Sequence, residues 1–450
     1  MDRPLLEQSI SESLPPGTQK ILVAVSGGVD SVALLHLLRN VSSQSGFQIH
    51  VGHLDHQIRE GSSADADFVR CLCRQWEIPY TIESCDVCRL ANQNGISLEM
   101  AGRQARQEFL QQLLHEVGAE LIALAHHRDD QVETFMLRLL RGSGQSGLSA
   151  MQVCRDNWWR PLLTYCRQDI VAYADKHKLE WVEDESNVNP VFLRNRLRTQ
   201  IIPQLQEINP RFSTGIARLI QQFQQDEDYW AGEVEQTFDS LIVSQDDGLR
   251  LSRSKLLAFH PALRTRLLRE ALRRVRGNLQ KIEAVHLQAV DDLLLSSKSQ
   301  SELNLPECWV ARRYGFFWIR EYPPVLLEPF DLVLPYGSEL ELPDGRVLRT
   351  SIQTEQEGES TMVVEFSLAA ISQPLRVRSW LPGDRFAPQG LVGHKRLKRF
   401  FSDNQVEREI RLTTPLLVSG ETILWVGGMR RSRHAVAGCD GGEVIRIELF

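Results

Sequence analysis

At 450 residues the chain is longer than one hydrophobic core of usual size organises, so two or three domains are expected. Its 42% hydrophobic and 24% charged residues are those of a water-soluble globular protein and exclude low-complexity and membrane-spanning classes. A formal net charge of −7 means that the whole-protein field does not attract nucleic acid, leaving that to local basic clusters, and eight cysteines are too sparse for a disulfide framework.

The N-terminus, MDRPLLEQSISESLPPGTQK, carries acids and no apolar core, so it is not read as a signal peptide, and a cytoplasmic location with free thiols is expected. Over the first 200 residues short aliphatic runs alternate with stretches of helical spacing. KILVAV (20–25), FQIHVGHL (47–54), PYTIES (79–84) and AELIALA (119–125) predict strands; 30–40, 63–76, 99–117 and 129–141 predict helices. This alternation predicts an α/β domain, a parallel sheet with helices on both faces, whose ligands bind beyond the carboxyl ends of the strands. SGGVDS (26–31) follows the first strand, HLDHQIR (53–59) ends the second and AHHRDD (125–130) follows the fourth, so three polar clusters converge on one rim.

From about 213 to 325 the spacing is mostly helical. In PALRTRLLREALRRVRG, Leu263, Leu267, Leu268, Ala271, Leu272 and Val275 share one side, and Arg266, Arg269, Arg273 and Arg276 the other. Beyond 325 strand-like stretches with frequent Pro and Gly predict a small α+β domain containing the basic segment HKRLKRFF (394–401). The expected division is therefore 1–212, 213–325 and 326–450.

The chemistry lies in the three clusters. SGGVDS lacks the spacing and terminal Lys-Ser/Thr pair of a Walker A loop, but two glycines before a helix opening on Asp30 and Ser31 suit an anion; an ordinary glycine turn accounts for the same residues equally well. His53, Asp55, His56 and Arg59 sit at a strand end, where hydrogen bonds to a nucleotide fit better than zinc. Arg103 and Arg106 in LEMAGRQARQEF lie nearly on one helical face, and Asp130 and Glu133, three apart, share a face behind His126 and His127.

SGGVDS resembles the pyrophosphate loop of the ATP pyrophosphatases. Together with HLDHQIR, MAGRQAR, AHHRDDQVET, RGSGQSGLSAM, RPLL…WVEDESN…FLRNRLR, and the later PGDRFAPQG, HKRLKRFF and TPLL, it follows the order and spacing of the tRNA(Ile)-lysidine synthetases, in their longer form. The resemblance implies a PP-loop, Rossmann-like ATPase domain. It also implies a two-step ligase reaction: ATP adenylates the C2 oxygen of the wobble cytidine of a tRNA(Ile) with a CAU anticodon, and the ε-amine of free L-lysine then displaces AMP.

On that resemblance Ser26, Gly27, Gly28, Val29, Asp30, Ser31, His53, Asp55 and His56 bind ATP. Asp30 supports Mg²⁺, Arg106 steadies the activated intermediate, and Asp130 and Glu133 hold lysine. Arg194, Arg196, Arg198, Arg266, Arg269, Arg273, Lys395, Arg396, Lys398 and Arg399 are expected to meet tRNA, and a homodimer is compatible with the family. Gln57 stands where the family usually has glycine, and His394 and Arg399 also depart from its pattern. Two other readings of these residues stand beside this one. A tRNA thiolase of the same superfamily would use reactive cysteines or an iron–sulfur cluster; Cys71 and Cys73 lie in a helix-like stretch and are not a CxxC pair, while Cys85 and Cys88 flank Asp86 and Val87 after the third strand. A non-catalytic, nucleotide-gated RNA-binding protein would not need Asp30, Arg106, Asp130 and Glu133 together.

Overall fold

A computed structural model describes residues 6–57, 61–183, 193–245, 247–391, 393–436 and 443–450. The chain divides into two compact units, Met1–Tyr229 and Trp230–Phe450.

In the first unit the helix α1 (Leu6–Ser13) precedes the strand β1 (Lys20–Ala24), whose Ile21, Leu22 and Val23 are fully buried. There follow α2 (Val29–Ser45), β2 (Gln48–Asp55), α3 (Ser62–Gln75), β3 (Tyr80–Ser84), α4 (Val87–Asn94), α5 (Leu98–Val117), β4 (Leu121–Ala123) and α6 (Arg128–Leu140). The expected strands and helices are all present; α4 is an additional helix, capped by the Asp86 carboxylate accepting from the Arg89 N–H. The sheet order is β3-β2-β1-β4, extended by a short hairpin, β5 (Cys154–Arg155) and β6 (Trp158–Trp159). β1, β2, β3, β4 and β6 run parallel, and β5 antiparallel to β6. Because β1 pairs with β2 on one side and β4 on the other, the chain reverses its winding direction at β1, and the crevice at the carboxyl ends of β1 and β4 is where such a sheet binds ligand.

Packing explains the strictness of this layer. Gly52 in β2 lies beneath α5: a Cβ there would stand 3.1 Å from Leu110 and Leu113 and 3.3 Å from Leu22. Gln57 just beyond β2 has φ +52°, a left-handed conformation in which glycine is unstrained. Gln57→Gly is therefore expected to leave the fold intact and raise thermal stability modestly, by about 1 kcal/mol at most, since relief of strain is partly offset by a freer unfolded chain. A thermal melt checks it, and a lowered Tm would show that the Gln57 side chain contributes contacts.

The helices α7 (Gln145–Leu148), α8 (Arg167–Lys176) and α9 (Leu193–Arg196) follow, then a π-helical turn Leu197–Ile201, α10 (Ile202–Ile208) and α11 (Phe212–Phe238). Leu197 is fully buried against Val132 of α6. This contact sets the start of the Leu193–Ile208 segment over the polar face of α6.

The second unit contains a departure from expectation. The stretch 213–325, expected to be mainly helical, also builds a five-stranded antiparallel sheet, β7 (Ile242–Ser244), β8 (Leu249–Ser252), β9 (Gln300–Leu305), β10 (Cys308–Arg313) and β11 (Phe316–Arg320), in the order β7-β8-β11-β10-β9. β10 is buried at every position, arginines included, so its sequence shows no alternation. The amphipathic helix Pro261–Arg276 packs Leu267, Leu268, Ala271 and Leu272 into this core as its spacing predicts. Its Arg264, by contrast, is buried and forms a bidentate pair with Asp291, at 2.6 and 2.9 Å.

The last part is all-antiparallel apart from short helices, with one sheet built on Leu375–Arg378, Leu416–Ser419 and Thr422–Val426 and another on Val347–Gln353, Val444–Leu449 and Val363–Ser367. Arg313 ties it to β9 and β10: its guanidinium donates to both Glu409 oxygens, to Glu302 and to the Ser301 and Arg312 carbonyls.

Candidate active site

The glycine loop is shaped by its own backbone. Gly27 has φ +90°, closed to other residues by strain rather than by space, since a Cβ there would meet only ordinary contacts beginning at 3.5 Å. Gly28 is the extended N-cap of α2. The Val29 and Asp30 N–H groups lie at the positive end of the helix dipole ahead of the first helical acceptor, whereas the Ser31 N–H donates to the Gly28 carbonyl at 3.1 Å. Ser31 plays an internal part: its hydroxyl donates to the Gly28 carbonyl at 2.9 Å and accepts from the Ser26 N–H at 3.2 Å. The hydroxyl, expected at ATP, is engaged within the loop through these two bonds.

His53 braces this loop from β2. Its Nδ1 donates to the Val25 carbonyl at 2.8 Å, which leaves Nε2 as a buried acceptor without a partner among the described residues. Burial lowers its pKa, keeping the ring neutral. Asp55 accepts from the Gln57 N–H at 2.9 Å and so shapes the second loop. His56 accepts from Arg106 at 3.1 Å, and burial, with the Arg106 charge, pushes its pKa down to about 4. The third loop residue, Arg59, lies outside the described residues.

Opposite stands the start of α6. The Asp130 carboxylate accepts from the His127 N–H at 3.0 Å, and the His127 ring lies among three acids, with Nε2 3.4 Å from Asp130 and 3.9 Å from Asp30 and Nδ1 3.8 Å from Asp129. Burial raises the pKa of Asp30, against the pull of His127 and Arg167, and its buried Oδ1 has no partner among the described residues. For Asp130 burial acts upward, but His127, Arg194 and His126 prevail and hold it below the usual carboxylate range. The pKa of His126 is pushed down to about 4, first by burial, with Asp130 opposing and Arg160, Arg194 and Arg106 reinforcing. The charges that act on His126 thus come from α5, α6, the strand hairpin and α9 at once.

Asp130 and Glu133 do share a face, and they are already engaged. Arg194 donates to Asp130 at 2.8 Å and to Glu133 at 2.7 Å; Arg198 donates to the two Glu133 oxygens at 2.5 and 3.0 Å. Glu133 is 2% exposed, and its two partners about a third. Arg194 and Arg198, expected at tRNA phosphates, therefore face carboxylates, while Arg196 between them is exposed. Sequence reasoning pairs neither arginine with α6; the i,i+4 spacing of the two, matched to acids three apart, is the available signal.

Among the other residues expected at tRNA, Arg273 pairs bidentately with Glu270 at 2.7 Å and Arg266 stacks on Trp230 at 4.6 Å. Arg269 also has an interaction partner. Lys395 pairs with Asp403, and Arg396, Lys398 and Arg399 are exposed beside the buried Phe400 and Phe401.

A hard divalent cation fits this chemistry in one respect: Asp30 offers a buried carboxylate oxygen that no hydrogen-bond donor among the described residues engages. Among the described residues no three His, Cys, Asp or Glu side chains are grouped to hold a metal, so such an ion would draw the rest of its shell from phosphate oxygens and water, as Mg²⁺ does. Cys71, Cys73, Cys85 and Cys88 are free thiols. Among the described residues no helix is long and apolar enough to cross a membrane.

Comparison with known proteins agrees with this architecture. The PP-loop domain profile matches residues 4–205, the TilS substrate binding domain 251–318 and the TilS substrate C-terminal domain 375–448. A tRNA(Ile)-lysidine synthase of Geobacter sulfurreducens is 36% identical over 443 residues, covering 96% of this chain and 93% of that one. Another, of Dehalococcoides mccartyi, is 32% identical over 467 residues, covering 97% and 96%. A crystal structure of a TILS C-terminal domain aligns at 26% identity with 27% of this chain and 96% of its own, with a TM-score of 0.26. With a PP-loop domain followed by both substrate domains, and with relatives matched over nearly their whole length, the chain belongs to the tRNA(Ile)-lysidine synthase family.

Proposed function

We propose that the crevice at β1 and β4 carries out lysidine formation in two steps, with ATP and tRNA(Ile) as the first pair of reactants and free L-lysine as the second. The observation that carries this reading is the position of His127 between Asp30 of the phosphate loop and Asp130 of the acidic pair, which sets a polyphosphate site and a cation site side by side. The enzyme is an ATP-dependent carbon–nitrogen ligase. In the first step the cytidine C2 oxygen attacks the α-phosphorus of ATP and pyrophosphate leaves. In the second, the lysine ε-nitrogen attacks C2, the C2–O bond breaks and AMP leaves with that oxygen.

The N–H groups of Gly27 to Asp30 receive the departing pyrophosphate, and the free Nε2 of His53 accepts a hydrogen bond from the nucleoside. Asp55 and His56 keep the second loop in place around it. Asp30 would hold Mg²⁺, which supplies charge neutralisation at the phosphates when bound. Arg106, anchored on His56, is the cation for the charge that develops as pyrophosphate departs.

Lysine's ε-ammonium, with a reference pKa of roughly 10.4, must lose a proton before it can attack. Asp130 and Glu133 are its carboxylate partners. Arg194 and Arg198 pair with these carboxylates, so lysine binding there would exchange guanidinium–carboxylate pairs for ammonium–carboxylate pairs. The released arginines then face the α-carboxylate of the same amino acid. Arg196, Lys395, Arg396, Lys398 and Arg399 remain candidates for tRNA phosphates; Arg266, Arg269 and Arg273 would first have to leave their present partners.

Incubating the protein with ATP, Mg²⁺, lysine and unmodified tRNA(Ile) is expected to yield pyrophosphate, AMP and a lysine-linked cytidine detectable by mass spectrometry of nucleosides. Absence of both nucleotide products and modified cytidine would overturn the reading.

A further inference from the structure

Arg167 faces the phosphate loop from α8, which it opens, with its Nε 3.9 Å from the Asp30 Oδ2. Its place is fixed by the backbone rather than by the side chain. The Arg167 N–H donates to the Asp129 carboxylate at 2.9 Å and the Arg128 N–H to the Tyr165 carbonyl at 2.7 Å, so the starts of α6 and α8 are fastened together. Cys166 is the extended N-cap of α8, and its N–H donates to the Asp169 carboxylate at 3.0 Å, which closes the first turn.

The direction of α8 follows from its packing on α2. Further along the two helices, at the same offset as Asp30 and Arg167, the His36 Nδ1 and the Tyr173 hydroxyl stand 2.8 Å apart. Ile170 shares one core with Leu34, Leu37 and Leu38 of α2. The helices therefore lie side by side and run the same way, and the positive ends of both dipoles are at the phosphate loop. A guanidinium carried on the second of these ends adds a full charge to a place already favourable to an anion.

The pair with Asp30 does not use up that guanidinium. At 3.9 Å, with the arginine side chain 58% exposed, it is a weak surface contact. Several charged oxygens on adjacent phosphates offer the planar fork a bidentate partner that a single carboxylate at this distance does not. Because the main chain of Arg167 is held by Asp129, the side chain can turn to such a ligand without disturbing the fold.

We propose that Arg167 is a further phosphate-binding residue of the adenylation step, its guanidinium passing from Asp30 to the β- and γ-phosphate oxygens of ATP and staying on them as pyrophosphate leaves. Asp129 is its positioning residue. This rests on the reading of the crevice as the ATP-cleaving centre. As the bond from the α-phosphorus to the bridging oxygen breaks, the electron pair stays on that oxygen, and the charge gained by pyrophosphate is shared between Arg106 of α5 and Arg167 of α8.

The test is calorimetric binding of inorganic pyrophosphate, with Mg²⁺ in the buffer, to the full chain as wild type, Arg167→Ala and Arg167→Lys. Loss of a charged hydrogen-bonding partner weakens binding by about ten- to a hundredfold, and this is the fall expected for Arg167→Ala, at an unchanged Tm. ATP KM is expected to rise by a similar factor with lysine KM unchanged. Arg167→Lys, which keeps the charge and loses the fork, should fall between the two. Pyrophosphate affinity equal to wild type in Arg167→Ala would overturn the assignment. Pyrophosphate binding requires neither tRNA nor lysine: weakened binding by the variant, with no lysidine formed by the wild-type protein, would keep Arg167 at the phosphates and overturn the assigned reaction, whereas a wild-type protein that binds no pyrophosphate would overturn both.

Discussion

Asp30→Ala is expected to abolish pyrophosphate release in the presence of ATP and tRNA, with a loss of about 10²- to 10³-fold or more, while tRNA binding is retained. The side chain sits at the first turn of the phosphate-loop helix, and its buried Oδ1 has no protein partner, so the fold makes little use of it there. Losing a preorganised charge at a phosphoryl-transfer centre costs roughly that factor. The same substitution separates activity from stability. A carboxyl group whose pKa is raised on folding disfavours the folded state once it ionises. The disadvantage is absent below the ordinary carboxylate value, grows as pH rises through it and is complete above the raised value. At neutral pH Asp30→Asn should therefore melt at the same temperature as wild type or higher while being inactive. Wild-type pyrophosphate release by either variant would remove Asp30 from the phosphate site, and a marked fall in Tm for the Asn variant would mean that the carboxylate stabilises the fold.

Glu133→Gln should divide the two steps. The glutamine keeps one acceptor oxygen for the arginines and turns an NH₂ group toward the other guanidinium, replacing attraction by a donor–donor contact. Hydrogen bonds to charged groups contribute about 1.5–3 kcal/mol each, so lysine KM is expected to rise about ten- to a hundredfold, with the first burst of pyrophosphate preserved and adenylated tRNA accumulating. Loss of the burst at unchanged lysine affinity would instead assign Glu133, through Arg194 and Arg198, to the first step.

The parallel sheet of the first unit was legible because its central strands β1 and β4 are buried and read as short aliphatic runs, and because glycine and acidic clusters follow the carboxyl ends of its strands. The left-handed Gly27 and the shared face of Asp130 and Glu133 were legible for the same local reason. The Arg194 and Arg198 pairing was not legible: it joins residues more than sixty positions apart, and the RNRLR stretch at 194–198 reads equally well as an RNA contact. The sheet within 213–325 was missed because β10, CWVARR, buries two arginines, and a run with charges at its end does not look like a core strand. Leu267 to Leu272 were placed correctly since their partners lie on one helix face, whereas the burial of Arg264 depends on Asp291, which no pattern along the helix announces.

Arg313 bears on how the second unit comes apart. Its guanidinium draws on β9, on its own strand and on the helix Arg408–Thr413 at once, and it is 1% exposed. If the helix detached, the cation would keep only Glu302 as a counter-charge in a place water does not readily reach; if the strands separated, Glu409 would lose the same cation. Neither part can begin to melt without stranding a charge in the other, and leaving one partner of a buried pair behind costs about 3–5 kcal/mol. Partial opening of this unit is thereby disfavoured relative to complete opening, so the segment that follows the five-stranded sheet and the sheet itself behave as a single cooperative block, folded together or lost together.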